Sequence, residues 1–235
     1  MLLLRLLGTA IPDLAFQMEK LLMAMAALTI LYGSLCAIPQ RNLKRLLGYS
    51  SIASAGFLLL GFAVLNRAGS SAILYYLAGY LFTVIAAFTV IAVVVREAGA
   101  EDLASLAGLA QRSPLLAASL TMAMVSLAGV PPLAGFFGKF LLLKAVIAEG
   151  IRWQAYYWLF AVALVGVIVS LYYCFNVVRA IYWSGPTADT APIPLTLATK
   201  FSLAICLAGM LWLGLNPDSA LEMALEAVKA LKLAA

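Results

Sequence analysis

The stretch Leu127-Ala128-Gly129-Val130-Pro131-Pro132-Leu133-Ala134-Gly135-Phe136-Phe137-Gly138-Lys139-Phe140 decides the fold. It lies inside an apolar run from Pro114 to about Ile147. Two adjacent prolines remove two backbone donors and obstruct the turn before them, so a helix is interrupted here. Gly129, Gly135 and Gly138 flank the interruption and permit unusual backbone angles or close helix contact. Lys139 follows seven residues after Pro132, among phenylalanines. Irregular backbone at membrane depth is tolerated only where protein or trapped water satisfies the freed carbonyls. A lysine at that depth is costly and marks function by default. Two readings stand: a proline kink with Lys139 snorkelling to the surface, or a protonatable group beside a hydrated helix break.

Working outward, composition places the chain in a membrane. Of its 235 residues, 65% are hydrophobic and only 11% charged, against about 25% charged in a soluble domain. The net charge of +5 comes from basic residues scattered between apolar runs. It reports topology rather than nucleic-acid or acidic-substrate binding. The chain has no histidine, which removes the commonest metal ligand and proton shuttle. Cys36, Cys174 and Cys206 are far apart in apolar surroundings and show neither ligand spacing nor a disulfide framework. No Gly-rich phosphate loop, metal cluster or nucleophile–base pair is present, so soluble catalysis fits badly.

The hydropathy pattern predicts an all-α, polytopic transmembrane helical bundle of about six spans, one of them broken around Pro131-Pro132. The chain is read as a single membrane domain over 1–235. Its spans are 21–38, 43–65, 71–95, a broken element over 113–150, 158–183 and 199–215. An amphipathic tail over 219–235 puts Leu221, Leu225, Val228 and Leu231 on one face, as an interfacial or docking helix. Met1 to Gly8 is too short for a span and lacks a cleavage pattern. Asp13 to Lys20 reads as a polar connector, and Ser184 to Pro194 as a loop. Between Arg96 and Arg112, Leu103, Leu106 and Leu109 recur at helical spacing opposite Glu101 and Asp102, which predicts a short helix on the membrane surface.

The element over 113–150 exceeds the roughly 20 residues of one straight crossing. Counted as one crossing, it gathers Arg41, Lys44, Arg45, Arg96, Arg112, Arg179 and Lys200 on one side. The other inter-span loops then receive only Arg67 and Arg152. The positive-inside rule favours that count, with the first group cytoplasmic and both termini outside. Gly79, Thr83 and Ala87 form a helix-packing face. Ser50, Ser51 and Ser54 serve close packing or line a water path. Lys44 belongs to the inside charge cluster or marks where protons enter. Lys144 snorkels toward an interface, and Glu149 lies near the helix end, so Lys139 has no carboxylate partner within its own helix. Desolvation disfavours the charged form of a buried ammonium, so a lysine so placed can load and unload a proton as nearby charges change. Carbonyls freed at Val130 and just before it would attract water and cations, as broken transporter helices do.

Several stretches carry a family resemblance. Leu43-Lys44-Arg45-Leu46-Leu47-Gly48-Tyr49-Ser50-Ser51-Ile52-Ala53 resembles a signature of the antiporter-like membrane subunits of respiratory complex I. Tyr76-Leu77-Ala78-Gly79-Tyr80-Leu81-Phe82, Ala87-Phe88, Ser113-Pro114-Leu115, the Leu127 to Phe140 stretch and Val169-Ser170-Leu171-Tyr172-Tyr173 are similar to subunit N of NADH:quinone oxidoreductase. The likeness covers nearly the whole chain. No single motif separates subunit N from its cousins in multisubunit cation/proton antiporters or membrane hydrogenases.

The resemblance implies a proton-translocating membrane-arm subunit that couples NADH:quinone electron transfer to pumping. It implies fourteen membrane helices in two inverted five-helix repeats, of which this chain resembles helices nine to fourteen, an antiporter-like half-repeat. It implies that Lys139 is the exit-side proton carrier of the broken helix twelve, framed by Gly129, Pro131, Pro132 and Gly135. Lys44 matches the basic residue of the Leu-Lys-Arg-Leu-Leu motif. No redox centre is expected in this chain; NAD, quinone, FMN and iron–sulfur clusters belong to the whole complex. The expected partners are other membrane-arm subunits, the missing N-terminal half of subunit N and the lipid of a bacterial inner membrane. Met1 to Leu7 resembles only the last turns of helix eight. The half-length chain is read as a fragment, a split subunit or a remnant. The alternatives to a pump module are an antiporter or membrane-hydrogenase subunit, and a non-conducting structural piece.

Overall fold

A computed structural model describes residues 12–64, 66–183 and 192–230. The readings made for Met1 to Gly8, Leu65, residues 184–191 and Leu231 lie outside the described residues. Among the described residues the structure is helical, with one isolated bridge between Asn42 and Asp102. Among the described residues, five helices are long and apolar enough to cross a membrane, and the shorter apolar helix Pro114–Ala128 is followed across a break by Ala134–Glu149. The protein is an integral, multi-pass membrane protein.

Helix α1 runs Pro12–Ala37. The polar stretch from Asp13 to Lys20, expected as a connector, is helical instead. Proline is favoured at a first helical position, and Leu, Ala, Gln, Met, Glu and Lys are good helix formers. Helix α2 runs Leu43–Val64. It starts after Asn42, whose side chain accepts from the Arg45 N–H at 3.0 Å. Helix α3 runs Arg67–Ala98, longer at both ends than its apolar core suggests. Asn66 accepts from the Gly69 N–H at its start, and Gly99, at φ 66°, ends it.

The connection after α3 is not a surface helix. Gly99 and Gly108 both have positive φ and cut the segment into a 3-10 turn, Leu103–Leu106, and one turn of helix, α4, Leu109–Arg112. Leu106 and Leu109 are buried in the bundle end. The apolar spacing thus serves docking rather than the bilayer surface. Leu43 N–H donates to Glu101 O and Leu103 N–H to Arg41 O, both at 2.8 Å, tying this loop to the α1–α2 turn.

Helices α5, Pro114–Ala128, and α6, Ala134–Glu149, are the two pieces of the broken crossing. They measure about 22 and 24 Å at 1.5 Å per residue, so neither alone spans a hydrocarbon core of about 30 Å. Helix α7 runs Ala155–Tyr182, α8 Leu197–Leu215 and α9 Pro217–Ala230. The tail helix α9 docks on α3 and α8. Ala220, Ala224 and Val228 form its buried stripe, with Leu221 and Leu225 half-buried beside it.

Helix α3 is the hub, packing against α2, α5, α6, α8 and α9. Two large apolar clusters and a smaller third fill the bundle among the described residues. One holds Leu46, Val90, Leu120, Ala128 and Ile181. The other holds Ile30, Phe57, Tyr76, Leu142 and Tyr156. The α5–α6 break borders the first cluster through Leu127, Ala128 and Leu133, and Ala134 opens α6 in the smaller third cluster with Tyr75, Leu213 and Ala220.

Candidate functional site

The break itself sets the site. In an unbroken helix the carbonyls of Leu127 and Ala128 would accept from the N–H groups of residues 131 and 132. Both of those are prolines and have none. Gly129, at φ 84°, turns the chain out of α5 in a region open to glycine. Helix α6 then returns beside the end of α5, bringing Lys139 back to the two orphaned carbonyls. Lys139 Nζ donates to Leu127 O at 2.6 Å, to Ala128 O at 3.3 Å and to Ser170 Oγ of α7 at 3.2 Å. The carbonyls freed by the prolines are therefore those of Leu127 and Ala128, earlier than the sequence reading placed them. The ammonium of Lys139 donates to both.

An ammonium has three donors, and all three find an oxygen here. None of those oxygens belongs to a carboxylate. The Phe57 ring centroid lies 5.1 Å from Nζ and adds a cation–π contact. Lys139 is 5% exposed, which overturns the snorkelling alternative: the side chain turns inward along the break.

A second polar pair pins the two half-helices together. Ser126 Oγ lies 3.0 Å from Thr83 Oγ1, which donates to Gly79 O at 2.7 Å. The Gly135 N–H donates to Ser126 Oγ at 3.2 Å. A Cβ on Gly135 would stand 1.8 Å from Ser126 O, so only glycine permits this approach. Beside it, Tyr76, Tyr80, Thr83, Ser126 and Lys139 line a small cavity about the size of one water molecule.

Lys44 is not part of this constellation. It is half exposed at the bundle end, its Nζ 2.5 Å from Glu101 Oε1. Asn42 Nδ2 donates to the other Glu101 oxygen at 2.9 Å. These two donors, Lys44 first, hold the Glu101 carboxyl below its usual range. Lys144 is exposed. Glu149 accepts from Asn66 at 2.8 Å and pairs with Arg152 at 3.2 Å. Arg152 also pairs with the buried Glu19, which accepts from the Tyr156 hydroxyl. This latch ties α1, α3, α6 and α7 at the end opposite Lys44.

Sequence reasoning missed Ser170, Phe57 and Ser126. Ser170 was legible as the lone serine in the apolar run of α7. Phe57 carried no signal, because its role depends on which helix faces Lys139. Among the described residues no three His, Cys, Asp or Glu side chains are grouped to hold a metal ion.

The transmembrane family of NADH:quinone oxidoreductases and Mrp antiporters matches residues 1–170. The chain is 39% identical to NADH-quinone oxidoreductase subunit N of Moorella thermoacetica, over 92% of its own length and 44% of that relative. Respiratory complex I from Thermus thermophilus with bound NADH contains a chain of similar structure, with TM-score 0.78 and 27% identity over 94% of this chain and 46% of that one. The archaeal membrane-bound sulfane sulfur reductase contains another, with TM-score 0.82 and 27% identity over 92% and 43%. The chain spans a little under half the length of the curated relatives it matches.

Proposed function

The chain belongs to the NADH:quinone oxidoreductase/Mrp antiporter transmembrane family, and on that premise we propose that it translocates protons as part of subunit N of an NADH:quinone oxidoreductase. The observation that carries this reading is the neutral shell of Lys139. Two carbonyls and a hydroxyl satisfy the ammonium with no carboxylate among its three oxygen contacts. Losing the proton therefore strands no buried carboxylate, an arrangement that is costly when one partner of a buried ion pair is neutralised. Ser170 Oγ, which donates to Val167 O at 2.7 Å, can instead turn its proton toward the lone pair of the neutral amine. Both charge states thus find hydrogen bonds, as a proton carrier requires.

In this reading Lys139 is the carrier, and Gly129, Pro131, Pro132 and Gly135 hold the break open for it. Lys44 and Glu101 are a charged tie at the cytoplasmic rim. NAD, FMN, iron–sulfur clusters and quinone act in other subunits, and the chain works as part of a translocase in a bacterial inner membrane. Further membrane helices, corresponding to the unmatched half of the relatives, complete the pathway. An antiporter or other respiratory membrane complex is the second reading, supported by the likeness to the sulfane sulfur reductase. NADH oxidation that co-purifies with the chain and responds to quinone separates the two. A purely structural role is disfavoured by the buried ammonium, since apolar bracing needs none.

The test is Lys139→Ala in the assembled complex, reconstituted in vesicles. Pumping should be lost while the complex still assembles. Normal pumping by that variant would remove Lys139 from the pathway.

A further inference from the structure

A groove of about 290 Å3 lies between α3, α8 and α9, toward the Arg67 end of α3 and away from Lys44. Ala78 and Phe82 stand on its α3 wall, Trp212 on its α8 wall, and Met223, Ala224 and Ala227 on its α9 wall. The one hydroxyl in the lining, on Tyr75, donates to the Leu213 carbonyl at 2.5 Å. The rest is Leu, Ala, Phe, Met and Trp, too apolar to hold water, which needs about two to four polar partners. The walls cannot close on this space. Gly214 of α8 is pressed against the α5–α6 break, where a Cβ would stand 1.9 Å from Pro132 O. Gly79 of α3, next to Ala78, is pressed against it too, where a Cβ would stand 2.9 Å from the Cβ of Ala134. Moving either helix into the groove would lift it off the break.

Hydrocarbon fits such a space. Helices α3 and α8 are long and apolar enough to cross a membrane. The α3 lining lies roughly 10–22 Å from the Arg67 end, the depth of one leaflet's chains. Ala78 is exposed, as are Trp212 at 49% and Met223 at 54%, so the groove opens sideways to the bilayer. An acyl chain there gains fixed dispersion contacts. It gains no hydrophobic energy, because the lipid it leaves is equally apolar. Shape alone therefore selects no particular lipid, and charge makes the choice. Helix α9 exposes Asp218, Glu222 and Glu226 against Lys229. Glu222 and Glu226 are one turn apart, and each adjoins a groove residue, Met223 or Ala227. Two carboxylates at headgroup level attract an ammonium and repel an anionic headgroup.

We propose that this groove is a binding site for a phospholipid with an amine headgroup. Its acyl chain packs along Ala78, Phe82 and Ala224, and its ammonium pairs with Glu222 and Glu226. The bound chain joins α9 to the two helices that clamp the break. The site stands independently of Lys139 as proton carrier.

The experiment uses the assembled complex in vesicles of equal parts phosphatidylethanolamine and phosphatidylglycerol with identical chains. Met223→p-benzoylphenylalanine sets a photoreactive ketone at the mouth of the groove. After illumination, the adduct masses separate the two lipids from each other and from protein. Phosphatidylethanolamine adducts should exceed phosphatidylglycerol adducts about fivefold. Glu222→Gln combined with Glu226→Gln should bring the two to equality. Ala78→Trp, which fills the groove from its floor, should lower total lipid adducts several-fold. Equal adducts with both glutamates intact, a preference that survives their replacement, or a protein adduct in place of lipid would overturn the site. So would lipid labelling that Ala78→Trp leaves unchanged. If Ala78→Trp fails to assemble, the preference and its loss in the double glutamate variant decide the matter.

Discussion

Lys139 and Lys44 are the same residue type in opposite circumstances. Lys139 is buried, donates only to neutral oxygens and faces an aromatic ring. Lys44 is half exposed and clasps a carboxylate at 2.5 Å. Water screens the second pair, so its contribution to stability is small and falls with salt. No water shell screens the first, so its environment sets its behaviour. An ion pair holds a lysine in one charge state. A shell of dipoles and hydroxyls lets it change state. The family likeness drew attention to both lysines, and the structure buries one of them among neutral oxygens and leaves the other at a half-exposed ion pair.

The sharpest way to break this comparison is to neutralise both. Lys139→Ala should lower pumping in reconstituted vesicles by about a hundredfold, with Lys44→Ala retaining more than half. Equal losses would erase the distinction.

Gly135→Ala tests whether the break, rather than the lysine alone, makes the site. Its Cβ would stand 1.8 Å from Ser126 O, so α5 and α6 must separate. We expect a stability loss of about 1–3 kcal/mol, read as a lower melting temperature of the complex in detergent. Pumping should fall with it although Lys139 is present. An unchanged melt and rate would mean that the approach of the two half-helices is not needed.

The Glu19–Arg152 latch is an intermediate case, a buried carboxylate against a half-exposed guanidinium. Glu19→Gln should cost about 1–2 kcal/mol. That is less than the 3–5 typical of a fully buried pair, because water reaches Arg152. Amide exchange near the start of α7 should speed up, and pumping should be spared, since the latch lies at the far end of α6.

The smallest effect concerns the rim and follows from pH. The Glu101 carboxyl is held below its usual value of 4.5, by Lys44 first and Asn42 second. A lowered folded-state pKa contributes stability above the unfolded pKa and loses it as pH falls through the folded one. Exchange of the Leu43 and Leu103 amides should therefore be indifferent to pH between about 5 and 8, after correction for intrinsic rates. Protection should weaken only on stronger acidification. Loosening already at pH 6 would show that some other group controls the rim.

Much of this was legible in the sequence. The break was written in Pro131-Pro132, because proline has no N–H in any environment. The spans were legible because hydrocarbon excludes charge over about 20 residues. Lys139 stood out by cost alone. The loop from Gly99 to Ser113 was misread for a physical reason. Leucines at helical spacing satisfy both a surface helix and a docked turn, and only the positive φ of Gly99 and Gly108 separates the two. The stretch from Asp13 to Lys20 was misread because polarity ends a membrane span without ending a helix.

The sequence by itself determined an all-helical membrane bundle, its broken crossing and the lysine that follows the break, because each rests on a local property of the chain. Only the tertiary structure decided what that lysine meets. The carbonyls of Leu127 and Ala128 lie 12 and 11 residues before Lys139, Ser170 lies 31 after it, and Phe57 belongs to another helix. Their convergence depends on how α2, α5, α6 and α7 pack, and packing is a property of the whole molecule.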